Sequence, residues 1–116
     1  MISQETAEHY VWGDGCDGWH LLKTAELSII QERVPAGKAE VRHYHRQARQ
    51  FFFVLRGEAT LELEGALYTL LPQQGLEVAP GQAHQLQNNG EEDLLFLVTS
   101  CPPSHGDRVQ SLDPQS

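Results

Sequence analysis

Apolar residues along this chain come in short runs closed by turn residues, and no stretch shows the three-and-four spacing of an amphipathic helix. Residues 27–34 read as a strand that Pro35-Ala36-Gly37 ends. Residues 40–46 form a candidate strand carrying two histidines, and the β-prone run 51–55 stops at Gly57. Residues 59–64 alternate strictly, so Leu61 and Leu63 are expected in the core while Glu62 and Glu64 face water. Gly65 turns this strand into 67–71, giving a hairpin, and Pro72-Gln73-Gln74-Gly75 leads into 76–78. Pro80-Gly81 precedes a short strand at 84–88, and Asn89-Gly90 is a hairpin signal before the apolar run 94–98. Eight or more short strands closing on themselves, an all-β barrel, is the most economical architecture.

The flanks are different in texture. Residues 1–20 are polar, with glycines around Trp12 and Trp19, and are predicted to form an N-terminal arm ahead of a barrel over 21–101. Residues 102–116 are Pro-rich and polar and are predicted to lie extended on the surface. The run 94–98 is apolar on both faces, which calls for cover from another sheet or a second subunit. With the tryptophan-bearing arm, it makes a homodimer the expected assembly.

Composition narrows the class. A chain of 116 residues with 40% apolar content suits one domain, and ten glycines and six prolines suit many turns. The formal charge of −8 argues against general affinity for nucleic acid or anionic lipid. Six of the eight basic residues nonetheless fall between Arg33 and Arg56, opposed there only by Glu40. This reads either as a local positive patch or as an ordinary solvated face balanced by acidic strands. The opening residues lack a signal-peptide pattern, and no run is long enough to span a bilayer. Cys16 and Cys101 lie in no redox or metal spacing, so a cytoplasmic protein with free thiols is expected, though a single bridge stays open.

The candidate chemistry lies in the histidines. On a strand, positions i and i+2 share a face, so His43 and His45 project together. Two neighbouring imidazoles suit adjacent positions around a metal, and His84 on a later strand offers a third. Exposed polar histidines would show the same spacing, and His9, His20 and His105 are assigned to that class. A regular strand from Gln50 puts Phe52, Val54 and Arg56 on its face, and His84 shares its face with Leu86 and Asn88. Phe52, Val54 and Leu86 are therefore the candidate pocket walls. No residue stands out as a general base.

Gly37-x5-His43-x-His45-x4-Gln50-x6-Gly57 resembles the first signature motif of the cupin superfamily, with Gln50 where a glutamate normally stands. Pro80-Gly81-x2-His84-x3-Asn88 resembles the second motif, with Ala79 in place of its usual first proline. The resemblance implies a double-stranded β-helix (jelly-roll) barrel and metal ligation by His43, His45 and His84. Gln50 then occupies the fourth ligand position, either as a neutral carbonyl donor or as a group orienting water or substrate. Imidazoles with one neutral oxygen point to iron, nickel, copper or zinc. The implied function is a metalloenzyme acting on a small molecule, with dioxygenase-like chemistry favoured. A non-catalytic metal or ligand binder and a sugar isomerase-like protein are the alternatives.

Overall fold

The computed structural model describes residues 1–111. Eleven strands are present among them: β1 (Glu8–Trp12), β2 (Cys16–Lys23), β3 (Ser28–Val34), β4 (His43–His45), β5 (Arg49–Arg56), β6 (Ala59–Leu63), β7 (Ala66–Leu70), β8 (Gly75–Val78), β9 (His84–Gln87), β10 (Leu94–Cys101) and β11 (Arg108–Gln110). They form two antiparallel sheets, ordered β1-β2-β3-β10-β5-β8 and β11-β4-β9-β6-β7. This is the all-β double-stranded β-helix the sequence predicts. No helix among the described residues is long and apolar enough to cross a membrane.

The strand runs form because β-branched and aromatic residues fit a pleated, half-buried surface, and the turns form because their residues allow the required dihedrals. Between β6 and β7, Glu64 and Gly65 take φ of 50° and 90°. Two successive positive φ values match the strand twist across a two-residue hairpin loop, and Gly65 adopts its value at no steric cost.

The interior changes character along its length. On β10 the inward positions run Leu94, Phe96, Val98, Ser100, and on β5 they run Val54, Phe52, Gln50. Cross-strand register places Leu94 beside Val34 at one end, and Ser100 between Ser28 and Gln50 at the other. One end is thus a packed apolar core that includes Cys16, Val34, Val54, Leu61, Leu86 and Leu94. The opposite end is polar and holds a cavity.

Several expectations are corrected. Glu62 does lie opposite Leu61 across the sheet, but its side chain is buried, because Arg42 covers it with a two-pronged ion pair (Nε–Oε1 2.6 Å, Nη2–Oε2 3.1 Å). Of the two readings of the basic run, the structure favours the face balanced by acidic partners: Arg42 binds Glu62, Arg33 binds Asp17 and Asp93, Lys38 binds Asp14, and Arg49 binds Glu77. Asn89-Gly90 makes no hairpin, since β9 and β10 belong to different sheets. Asn88 instead braces that crossover by donating to the Val34 and Glu92 carbonyls.

Within the expected N-terminal arm, β1 and the start of β2 form a hairpin that widens the larger sheet, and Trp12 packs on the core. Within the expected tail, β11 pairs with β4, while 112–116 fall outside the described residues. Cys16 is buried and Cys101 exposed, and both are free.

Candidate metal centre

Register brings the three motif histidines together. His43 of β4 faces His84 of β9 across the strand pair, and β11 lies on the other side of β4 with Arg108 opposite His45. The ring centroids are 4.8 Å apart for His43–His45, 4.5 Å for His43–His84 and 5.8 Å for His45–His84. One nitrogen from each of the three lies within 4.8 Å of the others. All three side chains are buried. Phe52 closes the group from the larger sheet, its ring edge-on to His84 at 5.9 Å.

The hydrogen bonds fix which nitrogens are free. The Val41 carbonyl can only accept, so His43 Nδ1 carries the proton at 2.7 Å and its Nε2 keeps a lone pair. His84 donates from Nδ1 to the Gln82 carbonyl at 3.0 Å in the same way. Backbone carbonyls thus orient two imidazoles as they would be oriented for a metal. Burial holds His43 down to about 3 and His84 down to about 4, and it also lowers His45. The rings are neutral at physiological pH, the form in which imidazole ligates a cation.

His84 Nε2, both ring nitrogens of His45 and Gln50 Oε1 are buried without a hydrogen-bond partner. An unmet buried polar atom costs roughly 1–3 kcal/mol, so their convergence is expensive unless something binds them. Gln50 reaches the interior from the opposite sheet, with its Nε2 donating to Ser100 Oγ at 3.0 Å and its oxygen left over. This donor set fits a divalent transition metal.

His43, His45, Gln50 and Phe52 open onto a cavity of about 650 Å³. Val54 and Leu86 do not line it. Each lies one inward position nearer the apolar end, Val54 beyond Phe52 and Leu86 beyond His84, and both are packed into the core.

The cavity also holds residues the sequence reading missed. Glu32 of β3, Glu40 and Arg108 face it, as do Tyr10 and His20 of the N-terminal hairpin. Burial and then Glu40 push Glu32 up to about 8, while burial pushes Glu40 up to about 7. His20 is not simply solvent-facing, because its Nδ1 is buried and unpartnered. His105 lies at the cavity's exposed rim, and His9 pairs with Asp17. A signal for Glu32 was present in the sequence: it alternates with Ser28, Ile30 and Val34 on a run read as a strand.

The cupin domain family model matches residues 30–100 of this chain. An uncharacterized protein of Methanocaldococcus jannaschii is 25% identical over 89 residues, spanning 76% of this chain and 71% of that protein. KdgF from Halomonas sp. superposes with a TM-score of 0.81 at 20% identity, over 87% of this chain and 91% of that one. A cupin-superfamily sugar phosphate isomerase from Silicibacter pomeroyi superposes with a TM-score of 0.78 at 19% identity, covering 89% and 76%. Likeness at these identities establishes the fold.

Proposed function

The chain belongs to the cupin domain family, and from that premise we propose that it is a metalloenzyme acting on a small molecule in the barrel cavity. His43, His45 and His84 hold the metal, with the Gln50 side-chain oxygen beside them. The observation that carries this reading is the set of unpartnered nitrogens and amide oxygen converging in one buried site. When bound, iron, nickel, copper or zinc supplies Lewis-acid character that polarises a carbonyl or hydroxyl of the substrate.

The chain's own residues do the rest. The Val41 and Gln82 carbonyls aim the His43 and His84 rings, and burial keeps all three imidazoles unprotonated. Ser100 fixes the Gln50 amide so that its oxygen stays turned inward. Phe52 limits water access from the larger sheet. The neutral donor set supports dioxygenase-like chemistry, the reaction favoured from sequence. The cavity carboxyls supply the acid–base groups an isomerase-like reaction needs, and that reading fits the whole cavity better. We place the protein in the cytoplasm, consistent with two unpaired cysteines, and propose a homodimer joined through the exposed apolar side chains of β7.

Elemental analysis of tag-free, chelator-free protein tests the metal site. We expect about one transition-metal ion per wild-type chain and none in His84→Ala, a pattern set by the shared ligand geometry. Failure of the wild type to take up any of the four metals on titration contradicts the proposal.

A further inference from the structure

A second polar cluster stands across the cavity from the histidines. Register aligns Tyr10, Gly18 and Glu32 in one row across β1, β2 and β3. Gly18 makes that row possible, since a Cβ there would fall 2.2 Å from the Tyr10 ring and 2.5 Å from its hydroxyl. The phenol end of Tyr10 therefore lies over Gly18, one strand away from Glu32. In the next row the His20 ring stands 5.0 Å from that of Tyr10. Glu40 and Arg108 face Glu32 closely enough for their charges to act on its carboxyl in opposite directions.

The two carboxyls differ in freedom. Glu40 Oε2 already accepts the Leu86 N–H at 2.9 Å. Among the described residues the Glu32 carboxyl makes no such bond, and burial and the Glu40 charge raise it while Arg108 lowers it. Burial also raises the Tyr10 phenol, so it stays a neutral donor. A further group on the wall marks the space as built for a ligand: His20, whose Nδ1 is buried and unpartnered.

We propose that Glu32 is a catalytic proton-transfer residue, acting on a small polyhydroxy carbonyl compound held between the histidine centre and the Tyr10–His20 wall. This rests on the metalloenzyme reading above. Phenol, imidazole, carboxylate and guanidinium offer donors and acceptors in turn, which suits a row of hydroxyl groups. An apolar ligand would leave them desolvated and unpaired.

In the step, Glu32 in its ionised form, which burial makes a stronger base than an exposed carboxylate, takes the proton from the carbon next to the substrate carbonyl. The C–H electron pair becomes the C=C bond of an enediolate as the carbonyl π pair moves to oxygen. Return of the proton from Glu32 to the neighbouring carbon, with transfer of the hydroxyl proton between the two oxygens, gives the isomer. Nothing is oxidised or reduced overall, and no co-reactant is needed.

The test follows deuterium uptake in D2O by dihydroxyacetone, D-xylulose and D-fructose, using proton NMR and metal-loaded full-length protein. We expect the wild type to exchange the proton α to the carbonyl of at least one of these sugars. Glu32→Gln should exchange about 100-fold more slowly or less, the usual scale of general base catalysis, while keeping its metal content and melting temperature. Saturation-transfer NMR on the metal-free protein should show the same sugar bound, and His20→Ala should weaken that binding. Exchange by Glu32→Gln at the wild-type rate overturns the assignment, as does a fully metal-loaded wild type that exchanges none of the sugars. Failure to load metal is read separately from elemental content and overturns the underlying function instead.

Discussion

Glu62 shows how a residue with an outward-facing position can still be structural. Strict alternation places it opposite Leu61, and that parity is correct. The sequence could not show that Arg42, twenty positions earlier, folds over the same face and leaves the two side chains only 5% and 7% exposed. Gly65 donates its N–H to the same carboxylate, and Arg42 also reaches the Ser111 carbonyl and hydroxyl. Removing one partner of a buried pair strands the other charge, so Glu62→Ala should lower unfolding free energy by about 3 kcal/mol or more in urea titrations. A loss below about 1 kcal/mol would mark the pair as an ordinary surface bridge instead. The Arg42 hydrogen bond holds the Glu62 carboxyl below its usual range. Its stabilisation is therefore complete at neutral pH and is lost as pH falls through the folded-state value, below 4.5. The histidine triad was legible because i, i+2 geometry and motif spacing are local facts. Glu32, Glu40 and Tyr10 were not singled out because their convergence depends on register between distant strands.

At the scale of elements, most strands follow from alternation and turn chemistry, and the misjudged ones were at the ends. Residues 8–23 are too polar to announce a sheet edge, yet β1 and β2 extend the larger sheet by a hairpin. β11 is only three residues long, and its place beside β4 depends on Asp107, whose carboxylate accepts the N–H groups of Arg46, Gln47 and Ala48. Of the two original grounds for a dimer, Trp12 packs within the chain, while the outward face of β10 keeps Leu95 and Leu97 only partly covered beside the exposed Phe51 of β5. A further ground is β7, an edge strand whose Leu67 and Tyr68 are 69% and 43% exposed. Light scattering at micromolar concentration should give twice the 13.0 kDa chain mass, and Leu67→Lys should shift it toward the monomer. A wild-type mass of 13.0 kDa would remove the homodimer.

At the scale of the whole molecule, the barrel is divided along its axis. One end is closed by a packed apolar core, and the other is left open around polar groups that the fold does not satisfy internally. Sequence patterning predicted the barrel but not that division. Both ends use the same alternating strands, and the change from Val34 to Ser28 or from Leu94 to Ser100 acquires meaning only once the strands are aligned. The division leaves a polar cavity with the histidines on one wall and the Tyr10–Glu32 row on the other. The most direct test of the metal centre is X-ray absorption spectroscopy at the zinc edge on the zinc-loaded protein. Three imidazole nitrogens at about 2.0–2.1 Å, completed by oxygen donors, are the predicted result. Zinc coordinated by one imidazole or none would show that the ion binds elsewhere and would contradict the account.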